Sequence, residues 1–467
     1  MPLAMSSKEL RPAQVLTRLD GPAMNRDMKT RHVRHAAIIA ASFWLLGAPM
    51  KARGQGNTWT GSSLQRMVEA AHWRIGYLRI NAAVMLGNVG YDSDVYYGYL
   101  ADPVRDFTLA FSSPVQLLLP LGKNIVVDII ETPQYLYYLD TDNERAWNNM
   151  FQGQVHFAMD RLYFRGGGGL ANIRQRLSPE LNINIRQKEN SIDGLALWQV
   201  SLKTSLAVLY KSVEFDHGDA EFAGTRLADT LNRKEGHYDA VVYIQPNPRV
   251  RLFADGEYGT YAFTEAVSAH KDARSYGVYG GFSVIPPLEE KRQISGVQGS
   301  LRLGFKRLDV SAPDQVDGSG FTGAFNLSAG LLKRTTGRAF FSRDFQFSIY
   351  AGATYYVSVV YGGGITRLLS KHATFSYDLS FGHSKYPENG TDGGTPPGIT
   401  NRYTTHTITL NVKLARSLGI TFMGSLGQRT TEDSGGTRNR NFYGFSLTYG
   451  TPPQAISAPL SVGGAPR

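Results

Sequence analysis

The chain has 467 residues, of which only 19% are charged, and it carries 50 Gly, 25 Tyr, 23 Phe and no Cys. A chain of this length holds two or three ordinary domains or one large closed sheet, and the lack of Cys excludes disulfides, thiolate metal sites, cysteine nucleophiles and a lipidated N-terminal cysteine. The formal net charge is +10, but residues 1–54 contain nine Lys/Arg and three Asp/Glu, which leaves the rest near +4, too little to imply nucleic acid as a partner.

Arg26, Lys29, Arg31 and Arg34 precede an apolar run, Ala36–Met50. A basic segment followed by an apolar stretch of this length predicts a secretory signal over residues 1–54, too short to span a membrane. Ala52-Arg53-Gly54 is the nearest small-x-small cleavage match, and Met24 or Met28 suits an initiator better than Met1. Residues 55–74 are expected to form a periplasmic lead-in, with Ser62 or Ser63 capping a short helix over Leu64–Trp73.

From Ile75 onward the spacing is that of strands. Phe375, Tyr377, Leu379 and Phe381 alternate with Thr374, Ser376, Asp378 and Ser380, and Ile408, Leu410, Val412 and Leu414 alternate with Thr407, Thr409, Asn411 and Lys413. Tyr443, Phe445, Leu447 and Tyr449 repeat the arrangement. Successive side chains of a strand point to opposite faces, so each segment has one apolar and one polar side. Mean hydropathy is −0.25, which argues against a helical membrane protein but not against a barrel, where only every second residue faces lipid.

The connections between these segments alternate in length. Short ones fall at 120–124, 160–161, 201–204, 245–248, 286–290, 333–337, 370–372 and 416–419. Polar, glycine-rich ones fall near 92–105, 139–147, 177–192, 214–236, 264–273, 309–320, 386–402 and 430–440. One expected long loop, at Ala351-Gly352-Ala353, is tight. Short turns at one end and long loops at the other predict an all-β fold: a transmembrane antiparallel up-and-down barrel of about 18 strands over residues 75–449, with a periplasmic tail over 450–467. A soluble tandem of sandwiches would also alternate, but it has no reason to sort its loops by length.

Several motifs then match a known family. Gly90-Tyr91-Asp92-Ser93-Asp94-Val95-Tyr96, Leu119-Pro120-Leu121-Gly122, Tyr355-Tyr356-Val357 with Leu368–Thr374, and Asn401-Arg402-Tyr403 with Leu414–Ile420 resemble β-barrel porins found in exopolysaccharide gene clusters of Gram-negative bacteria. The resemblance covers nearly all of residues 75–449, and in it the tight 351–353 loop is regular. Pro114 and Pro133, inside predicted strands, depart from it and suggest bulges. The resemblance implies a barrel of the cell outer membrane tied to polysaccharide export, with periplasmic and inner-membrane export machinery as partner and no catalytic residue.

Candidate chemistry is sparse. Gly166–Gly169 lacks the following Lys-Ser/Thr of a phosphate loop and reads as strand glycine. His217 with Asp216 and Asp219, and His237 with Glu235 and Asp239, flank the longest loop and could form an acid/base pair or metal site, although polar loops of this composition are common. Strand phase places Asp255, Glu257, Arg302, Lys306, Asp344, Asp378 and Lys413 on the lumen side, since Arg or Lys facing mid-bilayer lipid costs about 2–4 kcal/mol. They could sort solutes or fill the lumen as ion pairs. Tyr96-Tyr97, Tyr137-Tyr138 and Tyr355-Tyr356 fit interfacial girdles. The expected function is a porin-like conduit in outer-membrane lipid for exopolysaccharide or another polar solute, with no reaction, metal or cofactor. A barrel enzyme using His217 and His237, or a plugged barrel serving as scaffold or receptor, are the alternatives.

Overall fold

The computed structural model describes residues 64, 68–96, 102–176, 180–181, 183–218, 220–222, 225–284, 296–313, 315–350, 353–387, 400–431 and 436–453. The expected leader, the 286–290 turn, Ala351 with Gly352, and the tail beyond 453 lie outside these residues.

The strands are β1 (Trp73–Ile75), β2 (Leu78–Asp92), β3 (Asp106–Ser112), β4 (Val115–Leu121), β5 (Ile125–Tyr138), β6 (Ala146–Ala158), β7 (Leu162–Gln175) and β8 (Ile185–Gln199). There follow β9 (Thr204–Asp216), the small hairpin β10 (Glu221–Phe222) and β11 (Thr225–Arg226), β12 (Arg233–Asn247), β13 (Val250–Phe263), β14 (Ala273–Val284) and β15 (Val297–Val310). The last are β16 (Gly318–Leu332), β17 (Thr335–Phe347), β18 (Tyr355–Leu368), β19 (Ala373–Lys385), β20 (Thr400–Lys413), β21 (Leu418–Thr431) and β22 (Thr437–Gly450). Neighbours in sequence pair antiparallel all the way round, and β22 closes on β2 through Val84↔Tyr449 and Tyr91↔Tyr443. With β3 and β4 as two halves of one stave and β1, β10 and β11 outside the wall, this is a closed barrel of 18 strands. Closure leaves no exposed edge. Among the described residues no helix is long and apolar enough to cross a membrane.

At one end the described connections between staves are two to four residues long, apart from the stretch 285–296; at the other they run from five to sixteen. The expected loop over 177–192 is too long, because β8 already begins at Ile185. Arg186, Lys188 and Asn190 continue the strand with a polar face, which hides it from a search for apolar alternation. Pro114 lies in the gap between β3 and β4. Pro133 stays in β5 opposite that gap, where its carbonyl accepts from Ser113 N at 3.2 Å. A residue without an N–H is tolerated where the facing strand is broken.

The two faces of the wall differ. One exposes Val208, Val242, Val278, Phe305, Phe321, Ile365, Phe375, Ile408, Phe422 and Tyr449. On this outer face Tyr210, Tyr238, Tyr258 and Tyr276 stand side by side across four strands, with successive ring centroids 4.9, 5.9 and 5.3 Å apart. The opposite face is the inner one, since residues of well-separated strands meet across it.

The lead-in segment belongs to that inner face. Leu64 and Val68, both buried, pack with Leu118, Val126, Ala158, Tyr163, Leu195, Ala207, Tyr243 and Phe253. Helix among the described residues of this lead-in is limited to Leu64, Val68 and Glu69, so the expected helix to Trp73 ends early. Trp73–Ile75 instead forms β1, which turns through Gly76 (φ 57°) onto β2. A left-handed residue is what this tight turn needs, and glycine adopts it without penalty. Leu64→Ala is expected to cost about 2 kcal/mol, the loss for emptying a fully buried leucine site, read as an earlier urea midpoint of the folded, heat-modifiable band.

Candidate functional site

The inner face at mid-height carries a charge belt. Arg302 on β15 donates through Nη2 to Asp255 Oδ2 at 2.5 Å and Glu257 Oε2 at 2.9 Å, both on β13. Its Nε reaches Asp255 at 2.9 Å, and Asp239 of β12 lies at 3.9 Å. The guanidinium also sits 3.6 Å from the ring centroid of Tyr279 on β14. Lys306, four residues further along β15 on the same face, pairs with Glu257 at 3.0 Å and with Asp344 of β17 at 3.5 Å. Four carboxylates therefore surround two cations. The planar fork and stacking face of Arg302 explain why that position takes arginine rather than lysine.

The belt gathers five of the seven residues singled out by strand phase. Asp378 lies elsewhere, bound to Arg338 at 2.8 Å, and Lys413 is exposed beside the 414–417 turn and joins none of these pairs. Asp239 was grouped with His237 rather than with the lumen charges, and Tyr279 and Arg338 were missed. Asp239 was legible, because Tyr238, Ala240, Val242 and Ile244 set the phase of β12; Tyr279 was not, since an inward tyrosine gives no sign of a cation above it. A second inner pair, Arg165 with Asp193 at 2.7 Å, crosses the β7–β8 hairpin beside the glycine run. Gly166–Gly169 is regular strand, paired to β6 and β8, and a Cβ on Gly167 would meet Gly153 O at 2.5 Å.

The histidines have separate partners. His237 Nε2 bonds Glu235 Oε2 at 2.9 Å, with Arg233 on the other oxygen at 2.8 Å. His217 Nδ1 lies 3.1 Å from Asn232 Oδ1, and burial, then the nearby Arg233, pushes its imidazole down to about 4. Among the described residues no group of three or more His, Asp or Glu could hold a metal ion.

At the long-loop end the mouth is packed with side chains. The upper pairing of β17 with β18 runs from Arg343↔Val359 to Phe347↔Tyr355. The β16–β17 ladder stops at Gly323↔Arg343, while β15–β16 continues to Leu308↔Gly318. Above that seam the β17 arm parts from β16 and leans inward, while the β18 arm stays paired to β19 as far as Val357↔Lys385. Phe345, Phe347, Tyr355 and Val357 pack on the inner-face residues Tyr261, Ala273 and Leu308, with Phe347 4.9 Å from Tyr261 and 5.2 Å from Phe263 between ring centroids. Tyr355 and Tyr356 are buried and form no girdle.

The hairpin tip is held by other loops. Lys271 Nζ, fully buried, donates to Ser348 O at 2.9 Å and Tyr350 O at 3.0 Å. Glu180 accepts from Ser348 Oγ at 2.7 Å, from Ile349 N at 2.9 Å and from Tyr386 OH. Ile349 fills a cluster of Leu181, Ile185, Leu227 and Leu231. Burial raises the Glu180 carboxyl, against those hydrogen bonds and the Lys271 charge, and lowers the Lys271 ammonium to about 8, against Glu180.

No family model matches the chain, and no curated protein matches it. Solved structures do. One is OccAB4 of Acinetobacter baumannii, 10% identical with a TM-score of 0.45, covering 80% of this chain and 98% of that one. OccD1 (OprD) is 11% identical with a TM-score of 0.42, covering 82% and 97%. A bacterial polysaccharide outer membrane secretin is 8% identical with a TM-score of 0.33, covering 79% and 98%. At this distance the likenesses carry no functional argument, and the fold rests on the strand pairings of the chain itself.

Proposed function

We propose that the chain is an outer-membrane β-barrel that conducts polar solutes, with exopolysaccharide as the cargo that the sequence resemblance favours. The observation that carries the reading is the division of one closed wall into an apolar outer face and an ion-paired inner face. An exposed residue such as Val278, 73% accessible, gains by facing hydrocarbon. The tyrosine row marks one interface, since amphipathic rings settle at headgroup level. Above it the outer face turns polar through Glu214, Lys234, Lys188 and Asp216, with Lys234 3.3 Å from Glu214 and Lys188 3.6 Å from Asp216.

The seven phase-selected charges take the lumen role in this reading. Because both belt cations are already matched by carboxylates, the passage suits an uncharged polar chain better than a strongly anionic one. The test is swelling of vesicles that contain the full chain, driven by neutral sugars of increasing size. Uptake several-fold above lipid alone, slowed by a neutral polysaccharide, supports the reading. A folded, inserted barrel that leaves swelling at the lipid rate, before and after loosening of the mouth, overturns it.

A further inference from the structure

We propose that the upper β17–β18 hairpin is a gate, which opens when its Ser348–Tyr350 tip leaves the clasp of Glu180 and Lys271. The proposal rests on the conduit reading and says where the passage is closed. Three independent features meet at this element. The β16–β17 ladder ends halfway up, so the hairpin's arms are not tied to the wall on that side. The arms carry an apolar face, Phe345, Phe347, Tyr355 and Val357, which lies on the inner wall of β13–β15. The tip is gripped by charged groups from two separate loops, around 180 and around 271.

A structural tie alone does not explain the choice of grip. An apolar tip could be held by Ile349 and its cluster without burying a carboxylate and an ammonium, and burying both is expensive unless each is matched. Here both groups bond the hairpin tip. Lys271 donates to two tip carbonyls, and Glu180 accepts from a tip hydroxyl, a tip N–H and Tyr386. Removing either partner leaves the other buried beside unsatisfied backbone, a cost that vanishes when the tip moves out and water returns. The clasp thus makes closure conditional on both loops, the property of a two-state element rather than of a static plug. Thr354 Oγ1 on Gln315 at 2.9 Å and Tyr355 OH on Asp317 O at 3.2 Å tie the second arm to the connection between β15 and β16, and the paired Val357↔Lys385 and Val359↔His383 mark where it rejoins the wall.

The experiment uses Ile349→Cys in the full chain, which has no cysteine of its own, in lipid vesicles with a polar maleimide. Ile349 is 4% exposed, so labelling is expected to be slow. Adding Lys271→Met, or separately Glu180→Gln, is expected to speed labelling and sugar-driven swelling together by about tenfold, the effect of moving the equilibrium by a single hydrogen-bonded charge. Heat-modifiable migration verifies the fold. If neither variant folds, Ser348→Ala, which removes one hydroxyl, gives the same comparison with a smaller shift. Unchanged labelling in a folded variant overturns the gate, as does rapid labelling of Ile349→Cys alone. Steady swelling of the unsubstituted chain, which has no thiol, overturns the gate and leaves the conduit. Faster labelling with no swelling in any variant overturns the conduit reading, and the gate with it.

Discussion

Val278→Arg is expected to lower the stability of the barrel in lipid vesicles by about 3 kcal/mol, the cost of an arginine facing mid-bilayer hydrocarbon. Val278 lies midway along β14, between Gly256 and Phe305 in the pairing register, and points outward. The companion change Ser380→Arg lies midway along β19 on the inner face, where it is expected to cost less than about 1 kcal/mol because a lumen position keeps its water. Urea titration of the two variants in vesicles reads the difference. A soluble sandwich would tolerate both substitutions within about 0.5 kcal/mol, as exposed positions generally do. Equal effects would therefore remove the membrane assignment.

Arg302→Leu is expected to cost on the order of 3 kcal/mol, because Asp255 and Glu257 lose the cation that both face. Arg302 is partly hydrated, with 21% of its side chain exposed, which places the loss at the lower end of the range for a broken buried pair. Asp255→Asn in the Arg302→Leu background should recover part of it, since one of the orphaned charges is then gone. If Asp255→Asn makes Arg302→Leu worse, the belt is held by packing on Tyr279 rather than by charge. Arg302→Lys is a third comparison. It keeps the charge but loses the two-oxygen fork and the stacking, so an intermediate loss is expected.

Much of the fold was legible because a wall between lipid and water imposes period two on every stave. The alternation in β19, β20 and β22 gave both the element type and the outward face, and loop lengths sorted the ends. Reading failed where the wall departs from that environment. The arms of β17–β18 alternate as a lipid-facing strand does, with Phe345, Phe347, Tyr355 and Val357 on one side. Their apolar face meets the inner wall instead, and nothing local distinguishes the two destinations. The tight 351–353 connection, among otherwise long ones at that end, was the one sign in the sequence that this hairpin differs. The upper part of β8 was hidden for the opposite reason, because above the tyrosine row both faces are polar. Lys271 and Glu180 gave no signal at all. Each stands in a polar loop, and only the meeting of loops far apart in sequence turns them into a buried clasp. The charge belt was half legible: phase gives the face of Arg302 and Lys306, but not which carboxylates of β12, β13 and β17 come within reach.

The measurement that bears most directly on the whole account is single-channel recording of the full chain in a planar bilayer, made alongside Lys271→Met and Glu180→Gln. The account predicts discrete conductance steps, brief in the unsubstituted chain and prolonged in both variants, with a neutral polysaccharide reducing the open current. A folded, heat-modifiable barrel that inserts and passes no current in any of the three would contradict it.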